Sequence, residues 1–210
     1  MTNPESLVPA SPRTPIMRLL PKILALAAAS ALASAASAAV ETYTIDPVHS
    51  AVGFSIRHFV SRVPGRFTQF SGTITVDRDN LENSSVEATI DAGSLNTFND
   101  HRDADVKSAS YLDAAKFGSM TFKSTSWKKT GEGAFDVAGD LTIRGVTKPV
   151  VLKVTLLGFG PGMRGAQLSG WEAATTISRT DFGVNGPAML GKALGDEVAI
   201  TIAIEADLKQ

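Results

Sequence analysis

The stretch from Gly139 to Leu152 constrains the fold of this chain more than any other. Before a corner at Gly145, Val137, Leu141 and Ile143 share one parity with Gly139 between them; after it, Val150, Leu152, Val154 and Leu156 share one parity and Lys153 and Thr155 take the other. A period of two marks a strand with one dry face and one wet face, so the segment reads as a β-hairpin. Gly145 supplies the backbone freedom of a tight reversal, and Pro149 fits only near a strand start or on an unpaired edge.

The same unit recurs along the chain. Ser50 to Phe59 places Val52, Phe54, Ile56 and His58 on one face; Arg66 to Asp77 does so with Phe70, Ile74 and Val76; Ser84 to Ala92 alternates Val86, Ala88, Ile90 and Ala92 against Ser85, Glu87, Thr89 and Asp91. Further strands are predicted over Ser119 to Trp127, Ala134 to Ile143, Pro149 to Gly158, Leu168 to Ser178 and Glu197 to Asp207, the last with Val198, Ile200, Ile202 and Ile204 on its apolar side. Between Asn99 and Phe117 the period changes to helix formers without Gly or Pro, which predicts one or two short helices with Asn99 or Asp100 as N-cap.

Eight half-buried strands form a sandwich or close into a barrel, and closure removes exposed edges. An eight-stranded barrel has room inside for its own side chains or for one slim ligand. A membrane-spanning barrel would turn the apolar face outward between aromatic girdles, which 7% aromatic residues do not favour.

Residues 1–38 read as an address. Met17 to Lys22 is a short basic region, an alanine-rich apolar run starts at Ile23, and Ala36-Ser37-Ala38 fits the small-residue cleavage pattern of a secretory signal. The run is shorter and less apolar than the ~20 residues a spanning helix uses. Residues 1–16, rich in proline, read as a disordered leader or as sequence upstream of a start at Met17. The mature domain is then 39–210, beginning at Ala39, with 17 basic and 20 acidic residues and a net charge of −3.

That charge offers no basic face for nucleic acid. With no cysteine there is no disulfide, thiolate zinc site or thiol nucleophile.

Six stretches in order resemble the YceI-like family: Asp46-Pro47-Val48-His49-Ser50, Phe54-Ser55-Ile56-Arg57-His58, Gly65-Arg66-Phe67 with Phe70-Ser71-Gly72, Asn99-Asp100-His101-Arg102-Asp103, Gly139 to Pro149, and Arg179-Thr180-Asp181-Phe182-Gly183. The resemblance spans the mature chain and implies an all-β, lipocalin-like eight-stranded antiparallel barrel with one short helical insertion. It also implies a periplasmic protein that holds a polyisoprenoid or an isoprenoid-quinone-like amphiphile for carriage, storage or shielding. Two positions depart from the pattern: Asp105, where the family often has His, puts in doubt any contact needing an imidazole near the helix, and Gly118, where it often has Pro, loosens a turn.

In such a barrel the expected ligand contacts are the inward residues Val52, Phe54, Ile56, His58, Phe70, Ile74, Val86, Ala88, Ile90, Leu141, Leu152, Ile200 and Ile202. His58 and Arg102 are the candidates for a polar head group. No cofactor is expected besides the lipid or quinone itself. Transient membrane contact for lipid exchange and a homodimer are both compatible with the sequence.

The chain has no G-x-S-x-G and no acidic pair in an apolar setting, so no catalytic residue is assigned. The alternative to a carrier is an enzyme acting on an isoprenoid or quinone-type lipid through His58, Arg102 and Asp103; a third reading is a ligandless scaffold with a fully packed interior. Arg102 and Asp103 otherwise read as an ion pair fixing the helical segment, and Arg179 with Asp181 as a strand-end corner. His49 with His58, or His101 with Asp100 and Asp103, lack the spacing of a known metal set, and no metal is expected.

Overall fold

The computed structural model describes residues 40–209. The leader and signal segment expected over residues 1–38 lies outside them. The strands are β1 Glu41–Ile45, β2 Ala51–His58, β3 Ser61–Phe67, β4 Phe70–Val76, β5 Ser85–Asp91, β6 Leu95–Asn96, β7 Ser119–Gly131, β8 Ala134–Ile143, β9 Val146–Pro161, β10 Gln167–Ser178 and β11 Leu194–Leu208, with a helix, α1, over Asp100–Lys107.

The opening hairpin forms as its alternation predicts. β8 and β9 pair from Ile143 with Val146 down to Ala134 with Thr155. Phe135, Val137, Gly139 and Leu141 are buried while Asp140 is exposed. Arg144 and Gly145 make the two-residue turn with φ of 52° and 75°, the doubly left-handed geometry that matches strand twist. Arg144 holds that conformation by donating from Nη1 to Gly183 O (3.0 Å) and from Nη2 to Ala109 O (3.1 Å). Pro149 pairs with Asp140, but β10 joins β9 only from Lys153 onward, so the other side of β9 is unpaired at the proline.

Eight antiparallel strands close the barrel in the order β1-β4-β5-β7-β8-β9-β10-β11 and back to β1. The eight are not quite those expected. β11 is 15 residues long and serves two partners end to end: Tyr43 to Ile45 of β1 face Leu208 to Ala206, and Ala51 to His58 of β2 face Ala203 to Leu194. Ring closure therefore falls to β1, while β2, β3 and β6 extend from the upper half of β11 as a flap. At the corner between β1 and β2, the Ser50 hydroxyl donates to Glu205 O and accepts from Glu205 N–H (3.1 and 3.0 Å).

The strand expected over Arg66 to Asp77 is two strands. It breaks because the N–H groups of Thr68 and Gln69 donate to Ser94 Oγ (3.2 and 3.1 Å), which takes them out of the ladder. β3 itself carries Pro64 and Gly65, loop signals in sequence. Gly65 leaves room for the ring of Phe54, since a Cβ there would fall 2.3 Å from Phe54 Cζ. One helix forms rather than two. Asn99 caps it, its Oδ1 accepting from Arg102 N–H (2.9 Å), and the segment after Lys107 folds into turns that point Leu112 inward.

Outward faces are charged: Lys123 pairs with Glu87 and Lys153 with Asp136 across neighbouring strands. This is the reverse of a barrel whose outer surface meets lipid. Inside, an aromatic floor closes the end that holds Tyr43. Trp171 meets Trp127 and Phe159 edge-on at 5.5 and 5.8 Å, Trp127 also packs on Phe135, and the Arg78 guanidinium lies 3.8 Å from the Phe159 ring centre.

Gly139 is a sensitive point of the wall. A Cβ there would fall 2.5 Å from Phe122 Cζ and 2.6 Å from the Lys123 carbonyl oxygen, and the backbone oxygen has nowhere to move without opening the β7–β8 ladder. Gly139→Ala is expected to cost about 1–3 kcal/mol, read as a lower urea midpoint at unchanged slope.

Candidate ligand cavity

The inner faces of the strands do not fill the barrel. Val52, Phe54 and Ile56 of β2, Phe70 and Ile74 of β4, Val86, Ala88 and Ile90 of β5, Leu141 of β8, Leu152 of β9, and Ile200 and Ile202 of β11 all line one cavity of about 680 Å³. His58 and Arg102 also border it, so every residue expected to face a ligand lies on this wall. The volume falls within the range of small-molecule sites, ~300–1,000 Å³. It remains open because the lining sets small residues among branched ones: Ala88 and Ala173 stand where larger side chains would reach into the lumen.

The two ends differ. The floor is Trp127 and Trp171, both buried, and neither indole N–H has a hydrogen-bond acceptor. Polar groups gather at the opposite end, the mouth. His58 ends β2 there, opposite Leu194, and Thr97, Asn99, His101, Arg102 and Asp105 arrive from the β6–α1 segment, with Tyr111 and Arg179 beside them. Burial pushes the Tyr111 phenol above its ordinary 10.0, leaving it a neutral O–H.

Thr97 and Tyr111 were not singled out from sequence, because no alternation marks the loops that carry them; Asn99 and His101 were read as a helix cap and as part of a histidine grouping, not as cavity residues. Arg179 also borders the cavity, but its guanidinium is committed to architecture, donating to the carbonyls of Gly195, Val184 and Asn185.

Arg102 and Asp103 do not pair with each other; both hold Thr97. Arg102 donates from Nε to Thr97 Oγ1 (2.8 Å) and from Nη2 to Thr97 O (2.7 Å). Asp103 Oδ1 accepts from Thr97 N–H (2.7 Å) and from its hydroxyl. Neighbours in a helix point to different sides, so adjacency in sequence was a poor guide to pairing. Asp103 is buried and outside the cavity wall, so His58, Arg102 and Asp103 are not assembled around a common space.

Nor are the expected histidine groupings assembled. His58 lies at the mouth, His101 faces Asp105 (3.5 Å) in the open, and His49 sits at the β1–β2 corner with Asp46 (2.5 Å) and Glu205 (3.7 Å). Asp46, His49 and Glu205 are the one grouping among the described residues with metal-ligand spacing. Here His49 Nδ1 is hydrogen-bonded to Asp46 Oδ2.

Two measurements follow from these contacts. Asp103→Ala leaves the buried Thr97 N–H without its acceptor; it is expected to cost about 1–3 kcal/mol and to speed hydrogen exchange at the Thr97 amide. At the corner, the hydrogen bond from His49 holds Asp46 below 3.8, and the same bond holds His49 above 6.5. The raised His49 contributes stability below 6.5 that fades as pH rises through its folded value. The lowered Asp46 contributes above 3.8 and fades as pH falls through its own. NMR titration should therefore place His49 above 6.5, and Asp46→Asn should return it to the ordinary value.

Residues 43–206 match the YceI-like domain. A UPF0312 protein from Ectopseudomonas mendocina is 40% identical over 172 residues, covering 79% of this chain and 90% of that one. Among solved structures, Burkholderia cenocepacia BcnA superposes with a TM-score of 0.71 at 24% identity, over 77% of this chain and 99% of that one. A polyisoprenoid binding domain from Saccharophagus degradans, implicated in plant cell wall breakdown, superposes with a TM-score of 0.62 at 15% identity, over 80% and 98%. At these identities the likeness to BcnA and to the Saccharophagus domain is one of fold. Since the match runs from the middle of β1 to Ala206 near the end of β11, across the pairing that closes the ring, the chain belongs to the family of the YceI-like domain.

Proposed function

We propose that the protein holds a long apolar chain with a small polar head, a polyisoprenoid or an isoprenoid-quinone-like amphiphile, inside the barrel. The observation that carries this reading is the distribution of polarity in the cavity: apolar side chains along most of its length, with Ser71 and Thr175 the polar exceptions on the wall, and histidine, arginine and aspartate only at the mouth. A chain lying on Val52, Ile74, Val86 and Ile200 would gain up to ~0.8 kcal/mol for each methylene removed from water, less the cost of ordering it. His58 and Arg102, with the Tyr111 hydroxyl beside them on the rim, would meet the head group. The polyisoprenoid binding of the Saccharophagus domain supports the choice of ligand class.

The signal pattern of residues 17–38 supports a periplasmic address, where such a barrel would carry, store or shield its lipid. The cavity itself is at odds with a ligandless scaffold, whose interior would be packed. An enzyme using His58, Arg102 and Asp103 is disfavoured by the engagement of Asp103 with Thr97.

Solvent extraction of the purified protein followed by mass spectrometry should yield an isoprenoid lipid. Ala88→Trp places an indole in the lumen at mid-wall; it should fold with a thermal midpoint near that of the lipid-stripped parent and lose lipid uptake. A filled core would instead lose ~1–3 kcal/mol or more to overpacking. Thr89→Trp, on the exposed face of the same strand, should leave uptake unchanged. A protein that yields no lipid and takes up none from detergent solution would sink the reading.

A further inference from the structure

The mouth carries bulky side chains that neither the core nor the cavity uses. β2 and β3 are joined by Phe59 and Val60, with His58 facing Ser61. Val60 is fully exposed and Phe59 is 61% exposed with a φ of 47°. Tight hairpin turns with left-handed backbone select Asn and Gly, and an aromatic residue there is strained and unburied at once. Phe98 repeats the anomaly between β6 and α1: it is 69% exposed with a φ of 64°. Strain kept at exposed apolar positions points to a use outside the fold.

The charge behind these residues is basic. Arg57 and Arg62 face each other across the hairpin, on the outward parity opposite to that of Phe54, Ile56 and His58. Arg66 lies on the same face, its guanidinium 5.3 Å from the Phe98 ring centre. This basic face belongs to a chain whose net charge is −1, so it is local and not a general property of the surface. On β11 the bulge between Leu194 and Val198, which carries Asp196 and Glu197, lies opposite Arg57, while Arg62 and Arg66 stand on the outer strand of the flap.

We propose that the β2–β3 hairpin is a docking surface for a bilayer containing anionic phospholipid, with Phe59 and Val60 entering the interface and Arg62 and Arg66 resting on the phosphates. Aromatic and aliphatic tips backed by arginine suit that boundary, where an apolar body and a charged layer meet within a few ångströms. Phe98 lies about three residues below the tip, roughly 10 Å along the strand, so the outer face of the flap would lie obliquely on the head groups. The hairpin stands at the mouth and the floor is at the other end, so docking would bring the open end of the cavity to the lipid. The identity of what crosses rests on the proposed ligand; the docking itself does not.

The test is flotation of the full chain with vesicles of phosphatidylglycerol and phosphatidylcholine, and with phosphatidylcholine alone. The parent should float with the anionic vesicles and be released by salt. Phe59→Asn with Val60→Gly installs a favoured turn, so it should keep or raise the thermal midpoint while the bound fraction falls about tenfold. Arg62→Gln should lower binding to the anionic vesicles toward the phosphatidylcholine level. Quinone uptake by the turn variant should be slowed from vesicles and unchanged from detergent solution. A parent that stays in solution, or a turn variant that floats as the parent does, overturns the proposal. So does a parent that sediments as a dimer which the turn variant dissolves, since a second copy would then occupy the tip. A protein that floats through its hairpin yet takes up no quinone from either source upholds the docking and overturns the ligand.

Discussion

Everything in this molecule depends on one short pairing, that of Tyr43, Thr44 and Ile45 with the end of β11. Without it the strands would form an open sheet with two exposed edges; with it the edges at that end vanish and the inner face becomes a lumen. A five-residue strand can do this because β11 is long enough to hold β1 and β2 in tandem, and because the Ser50 hydroxyl and the Asp46 N–H tie the corner between them to Glu205. Tyr43 is also one of the aromatic residues at the closed end, so the strand that completes the ring also helps build its floor.

From that closure follows a division of labour along the barrel. At the floor the side chains are large, touch one another and exclude solvent, which is where packing stabilises the fold. Toward the mouth the same inward parity continues, but with residues that leave a gap across the lumen, and the wall is held by ladder hydrogen bonds and by arginines that bind carbonyls. Arg144 and Arg179 each span loops from different strands in this way, making the upper rim rigid without filling it. Such an arrangement gives up core contacts near the mouth in exchange for a preformed space.

The parts of this that were legible in the sequence are those where one physical signal dominated. The inward set Val86, Ala88 and Ile90 was readable because a strand has a strict period of two and its outward partners are polar. Asn99 was readable as a cap because its side chain competes for backbone N–H groups. β1 was not, since five residues carry too little alternation to stand out beside an apolar leader. β3 was hidden by Pro64 and Gly65, whose turn signals are local while their real cause, an outer edge and the ring of Phe54, is distant in the chain. The mouth was least legible of all: Thr97 and Tyr111 border the same end of the cavity as His58 only because loops from separate strands converge.

The aromatic floor makes the barrel a blind tube. Whatever occupies it must leave by the way it came, and the occupant's far end can advance no further than Trp127 and Trp171. Length thus becomes a recognised property alongside polarity: a chain shorter than the lumen leaves wall unwetted by hydrocarbon, and one that is longer must project its remaining segments and head beyond the rim. For the second kind the protein acts as a sleeve rather than a container, covering one end of the molecule and presenting the other.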